Sequence, residues 1–245
     1  MRTGLNCKVI ATCFLDNRRI QLDARFPAHN QNIETSEGIL DMLKRIVNFE
    51  LDNNAGMPMD IIIVNSDVGF VEGNEWLDSI NSKETQNGHI IVMRRDNIGG
   101  SFGAYSDAFL RFCDKYDYWL FTEDDIMVGG RDYYRRIVNL MRARKNIGFI
   151  ALVGMARHPL GTHAHGGVGL TSREILSNIV NNNNGELPYH HGSWDKKNVV
   201  EEGEVKFTNF IETKIGKEIL VFHDKDEWDF ETKLCIPYYN NPTVH

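Results

Sequence analysis

The sequence has no apolar run approaching the roughly 20 residues that a membrane-spanning helix requires, so no bilayer span is expected. Cysteine is sparse. Cys7, Cys13, Cys113 and Cys235 form no CxxC pair, and their spacing does not suit a zinc site. Reduced, mostly buried thiols are expected instead. Basic residues do not dominate: 27 Lys and Arg stand against 34 Asp and Glu, a formal net charge of −7. This balance argues against bulk nucleic-acid binding and against adhesion to anionic membranes. Met1-Arg2-Thr3-Gly4 leads into a strand-like run without a small-residue cleavage site, so no signal peptide is expected and the setting reads as cytoplasmic. There is no internal repeat and no GxxxxGK[ST] phosphate loop. Asp16-Asn17-Arg18-Arg19, after the first strand, lacks the glycines of a dinucleotide fingerprint.

What remains is a globular composition, 42% apolar and 10% aromatic, over 245 residues. That length suits one large α/β domain. Lys8 to Phe14 reads as a buried strand, as do Asp60-Ile61-Ile62-Ile63-Val64, Ile90-Ile91-Val92-Met93, Tyr118-Trp119-Leu120-Phe121 and Ile147 to Val153. Between them lie helical faces. Ile39, Leu43, Ile46 and Val47 form one, with Thr35 or Ser36 as cap. Phe102, Tyr105, Phe109 and Phe112 form a second, and Tyr134, Ile137, Val138 and Met141 a third. Apolar strands alternating with amphipathic helices predict an open, mostly parallel, Rossmann-like sheet with helices on both faces. Asn181-Asn182-Asn183-Asn184-Gly185 reads as an exposed loop.

In such sheets ligands lie beyond the carboxyl ends of the strands. Asp16, Asp67, Asp96, Asn97, Glu123, Asp124 and Asp125 are all expected there. The strongest signal is Glu123-Asp124-Asp125, three carboxylates closing a buried strand. Repulsion among them is relieved by a shifted pKa or by a cation. Oxygen ligands suit Mg²⁺ or Mn²⁺, which could bridge a diphosphate leaving group. The alternative is a solvated acidic turn, or a cap for the helix beginning near Arg131. A second signal, Arg94 to Gly103, joins strand to helix through Gly99 and Gly100, as an anion-binding turn would. It also contains Gly99-Gly100-Ser101-Phe102-Gly103, a Gly-x-Ser-x-Gly pattern that can be read as a hydrolase elbow on Ser101.

Taken together these residues resemble the GT-A-fold glycosyltransferases, especially the inverting, type-2-like group. Thr12, Asp16 and Arg18 resemble the family's first strand and turn. Asp67 resembles the aspartate that helps bind the nucleotide. Asp96-Asn97-Ile98-Gly99-Gly100 resembles the N-x-G-x-x-x-A segment, and Glu123-Asp124-Asp125 sits where the family has its DxD motif. Gly166-Gly167-Val168-Gly169 with Arg173 resembles the acceptor-side glycine segment.

The resemblance implies a UDP-, GDP- or dTDP-sugar donor, a glycan or other hydroxyl acceptor, and hexosyl transfer with inversion in glycan or polysaccharide synthesis. It implies a Mn²⁺ or Mg²⁺ held by Glu123, Asp125 and the late His223, with Asp124 on the nucleotide. It also implies one GT-A-like domain over 1–245, with the donor and metal in 1–153 and the acceptor half in 154–245. Glu204 aligns with the catalytic base and Glu202 is its rival. Glu204 is expected to open a helix whose Phe207, Phe210 and Ile211 face the core. The alternative is that Glu201, Glu202 and Glu204 merely complement that helix's dipole. His158, His163 and His165 could line the acceptor pocket or simply decorate a loop, and the loop is the preferred reading. A serine hydrolase on Ser101, or a non-catalytic nucleotide- or carbohydrate-binding domain, are the competing functions.

Overall fold

A computed structural model describes residues 5–16, 35–128, 132–192, 196–222 and 235–237. The order is β1 (Leu5–Thr12), α1 (Ser36–Asp52), β2 (Asp60–Asp67), α2 (Val71–Ile80), β3 (Ile90–Asp96), α3 (Gly100–Phe112), β4 (Tyr116–Glu123) and β5 (Ile126–Val128). Then come α4 (Tyr133–Ala143), β6 (Ile147–Ala151), β7 (Met155–His158), β8 (Gly161–Ala164), β9 (Gly169–Ser172) and α5 (Arg173–Asn182). A helical run over 196–214, carrying two π-type segments, precedes β10 (Glu218–Val221) and β11 (Cys235–Pro237).

Seven strands form the main sheet in the order β10-β6-β9-β4-β1-β2-β3. All neighbouring pairs are parallel except those made by β9, which runs antiparallel to both β4 and β6. The sheet is thus the open, mostly parallel, Rossmann-like α/β sheet that the alternation of strands and helices predicts. The five strands read from the sequence are present. The sequence pattern misses β9 because Gly169-Leu170-Thr171-Ser172 is too short to show a period. It also misses α2, whose buried contacts are few: Gly73, Leu77 and Ile80.

Side chains alternate across the pleat and so build two cores. Ile10, Ile61, Ile63 and Leu120 pack with Ile39, Leu43 and Ile46 of α1 and Ile137 and Val138 of α4. Val9, Ala11, Ile62, Val64, Trp119 and Phe121 pack on the other face with Phe102, Tyr105 and Phe109 of α3 and Ile175 and Ile179 of α5. α1 begins as its sequence predicts, with the Thr35 hydroxyl accepting the Gly38 N–H at 3.0 Å. The asparagine run is only partly a loop. Asn181 and Asn182 complete α5, and Asn183 is buried. No helix among the described residues is long and apolar enough to cross a membrane.

One charge pair lies inside the first core. Lys8 of β1 and Glu50 of α1 are 0% and 1% exposed, with Nζ and Oε1 2.5 Å apart. The Tyr133 hydroxyl donates to the same carboxylate at 2.9 Å, and Lys8 also reaches the Val128 carbonyl at 3.3 Å. Burial, then the Glu50 charge, pushes the Tyr133 phenol well above its ordinary value. A fully satisfied pair of this kind is neutral to mildly unfavourable against an apolar substitute, yet removing one partner strands a charge. Lys8→Met is expected to cost about 3–5 kcal/mol, whereas Lys8→Met with Glu50→Leu should recover most of that loss. Urea denaturation of the two variants checks this. A double variant no more stable than the single would contradict it.

Candidate active site at the carboxyl edge of the sheet

The parallel registers Thr12↔Asn65, Asp67↔Asp96 and Ala11↔Glu123 carry the ends of β1, β2, β3 and β4 to one edge. The antiparallel β9 does the reverse. Its first residue, Gly169, pairs with Phe121, so the chain entering β9 passes the end of β4. That entry is Gly166-Gly167. Gly166 has φ +61, and a Cβ there would lie 3.1 Å from Glu123 Oε2, so a side chain would be both strained and crowded.

Glu204 arrives from the opposite side. Its Oε2 accepts the Gly166 N–H at 2.8 Å and lies 2.9 Å from His163 Nδ1, although that imidazole is not aligned for a hydrogen bond. Glu123 and Glu204 therefore meet across one glycine. The Ser101 hydroxyl donates to Glu123 from the first turn of α3. Beneath them lies Tyr105, fully buried and stacked on Phe121 with ring centres 4.4 Å apart. Burial, then the charges of Glu123, Glu204 and Asp124, keep its phenol well above its ordinary pKa, so it stays neutral. Burial disfavours a charged His163, but Glu204 outweighs burial and raises the imidazole above its ordinary value.

The other expected residues are brought to this edge with different partners. Asp124 is 0% exposed. Its Oδ2 accepts the Thr12 hydroxyl at 2.7 Å and the Cys13 N–H at 3.4 Å, so Thr12 and Asp124 fasten β1 to β4. Asp125 is buried in the same turn. Asp16 accepts the Ser36 N–H at 2.6 Å and its hydroxyl at 2.8 Å, anchoring α1. The hydroxyl, then the N–H, lower the carboxyl's pKa. Asp67 accepts from Asn74 and the Gly69 N–H, which lower its pKa in that order. Asp96 and Asn97 are exposed. Arg18 and His223 lie outside the described residues.

Two readings of single residues are corrected. Glu204 does not open a helix: helical turns already run from Lys196, so the dipole-cap alternative does not describe it. Phe207 and Ile211 do face the core, at 1% and 0% exposure. His158 and His163 are not loop decoration but belong to the β7–β8 hairpin, with His163 only 4% exposed. Pro159 in the turn and Gly161 directly after it were the available signal. Glu202, the rival base, is instead 3.1 Å from His190.

Ser101 gives its hydroxyl to Glu123, where a hydrolase serine would engage histidine. β3 ends at Asp96, and four residues separate it from Ser101, so the abrupt strand-to-helix elbow is not formed. Among the described residues, no three His, Cys, Asp or Glu side chains converge as a metal cage. The strand-end donors are carboxylate oxygens, a chemistry that suits a hard ion completed by substrate phosphates rather than by protein alone.

The glycine turn before α3 has an unexpected neighbour. Gly99 has φ +73, and a Cβ there would fall 2.3 Å from Tyr189 Cδ2. The Tyr189 ring, itself against His191 at 4.2 Å, covers this turn.

No protein-family model matches the chain, and no curated protein matches it. Solved structures do. A cytidylyltransferase from Leptospira borgpetersenii is similar over 96% of this chain and 81% of its own, at 12% identity and TM-score 0.46. S. aureus TarS 1-349 matches over 90% of this chain, at 10% identity and TM-score 0.48. The glycosyltransferase GlyE of Streptococcus pneumoniae matches over 89%, at 15% identity and TM-score 0.41. This chain spans 58% of that TarS chain and 46% of that GlyE chain. The likeness in each case is one of fold.

Gly99→Ala combines a strained φ with a clash and is expected to destabilise by about 1–3 kcal/mol. Adding Tyr189→Ala should relieve the clash and leave the strain, so the two changes are not additive. A denaturation double-mutant cycle with purely additive losses would show that Tyr189 does not occupy the glycine's open side.

Proposed function

We propose that the chain is a glycosyltransferase that moves a sugar from a nucleotide-sugar to an acceptor hydroxyl, with inversion. The observation that carries this reading is the meeting of Glu123 and Glu204 around Gly166 at the carboxyl edge of the sheet. One carboxylate closes a central strand and belongs to the donor side. The other comes from a separate helix, on the acceptor side.

Glu204 acts as the general base. Its Oε2 is fixed by the Gly166 N–H, which leaves the carboxylate to take the acceptor's proton as the hydroxyl oxygen attacks the anomeric carbon. Glu123 and Asp125 would hold Mn²⁺ or Mg²⁺ together with the donor's phosphate oxygens. Such an ion, when bound, would neutralise charge on the diphosphate leaving group. Asp67, Asp96 and Asn97 border the nucleotide at the ends of β2 and β3. Thr12 and Asp124 contribute by fixing the turn from which Glu123 projects, not by touching the nucleotide. Tyr105, buried and neutral, keeps water from the underside of the two carboxylates.

Glu204→Gln preserves size and an acceptor for Gly166 while removing the base. Turnover of the preferred donor and acceptor should fall roughly 10²–10⁴-fold with donor affinity retained. Initial-rate kinetics beside donor-binding calorimetry make the measurement. Turnover within a few-fold of wild type would remove Glu204 from the mechanism.

A further inference from the structure

The run Glu201-Glu202-Glu204 meets three histidines. His158 Nε2 lies 3.5 Å from Glu201 Oε1, His190 Nδ1 3.1 Å from Glu202 Oε1, and His163 Nδ1 2.9 Å from Glu204 Oε2. The first two pairs are partly open to solvent, with Glu201 at 23% and Glu202 at 49% side-chain exposure. Contacts between such wet groups contribute little. The third pair is different, with His163 at 5% and Glu204 at 14%. A charge attraction counts for more where water is excluded.

His163 is also fixed to the helix that carries Glu204. The next residue on β8, Ala164, donates its N–H to the Thr208 hydroxyl at 3.1 Å, one turn beyond Glu204. Thr208 is itself 0% exposed. Strand and helix are therefore joined at two points, one a backbone hydrogen bond and the other the His163–Glu204 contact. Phe207, between Glu204 and Thr208, stacks edgewise on Phe102 and Phe149 and resists sliding of the helix. Besides His163, the Gly166 N–H donates to Glu204. Glu123 from β4 lies across Gly166, and Asp124 and the neutral Tyr105 lie in the same pocket. Repulsion from Glu123 across that glycine opposes the Gly166 contact.

We infer that His163 is a positioning residue that holds the Glu204 carboxylate against Gly166, opposite Glu123, in the orientation from which it takes the acceptor's proton. This rests on the reading of Glu204 as the base. His163 touches neither donor nor acceptor in this role. Its loss should slow the chemical step without weakening donor binding, because misplacement of a catalytic group by about 1 Å can cost on the order of a hundredfold.

The test compares His163→Ala, His163→Asn, His158→Ala and Glu204→Gln with the wild-type full chain in one transfer assay. His163→Ala should lower kcat roughly ten- to a hundredfold and leave donor KM unchanged. His163→Asn fills the site with a neutral side chain and should stay within a few-fold of His163→Ala. His158→Ala, at the exposed pair, should behave as wild type. If His163→Ala keeps wild-type kcat while Glu204→Gln loses it, the positioning role is overturned and the base stands. If His163→Asn restores wild-type kcat, the charge on the imidazole is not what holds Glu204, and the inference also fails. Should His163→Ala not fold, the Asn variant alone decides: a lowered kcat at unchanged donor KM supports the role and wild-type kcat overturns it. If Glu204→Gln is fully active, or no donor is turned over by wild type, the underlying reading fails and takes this inference with it.

Discussion

The antiparallel course of β9 between β4 and β6 is the constraint on which the site depends. A parallel strand there would deliver its entry loop to the amino edge of the sheet, away from every strand-end carboxylate. Because β9 is reversed, Gly166 arrives beside Glu123, and the backbone N–H of Gly166 becomes the anchor for Glu204. The β7–β8 hairpin precedes that loop and brings His163 with it. A four-residue strand with no sequence period thus brings residues 163 and 204 to the Ser101–Glu123 pair.

Such a gathering costs desolvation, which the structure offsets with specific hydrogen bonds. Asp124 is wholly buried yet receives Thr12 and Cys13. Glu123 receives Ser101, and Glu204 receives Gly166. The same logic holds on the opposite face, where Glu50 receives both Lys8 and Tyr133. In all but the Glu204–Gly166 contact, a polar group on β1 or β4 is tied to a partner distant in sequence. The central strands are therefore pinned by polar contacts as well as by the two apolar cores. A rigid sheet edge is what a site made from several strand ends needs, since small displacements weaken catalysis steeply.

Much of this was legible in the sequence. The β-branched runs at 61–64 and 90–92 and the spacing of Phe102, Tyr105 and Phe109 fix strands and helix faces by local periodicity. Parallel strands then place Asp67, Asp96 and Glu123 on one edge by topology alone. The roles of individual carboxylates were not legible. Whether an aspartate meets a ligand or caps a neighbour depends on long-range partners: Asp16 is taken by Ser36, and Asp124 by Thr12, 112 residues away. Tyr189 over Gly99 and His163 beside Glu204 escaped for the same reason. Their contacts are set by the packing of short, irregular segments, which carry no repeating pattern.

Whether this edge holds a nucleotide-sugar is read from the thermal midpoint of the protein. UDP-, GDP-, dTDP- and CMP-sugars would be screened with and without Mn²⁺. A ligand at about 100 times its dissociation constant stabilises the native state by ~2.7 kcal/mol. For a domain of this size that is a rise of roughly 5–11 °C. Such a rise is expected for one class of nucleotide-sugar, larger with Mn²⁺ and lost in Asp125→Ala. A midpoint unmoved by all of them, with or without the ion, would contradict it.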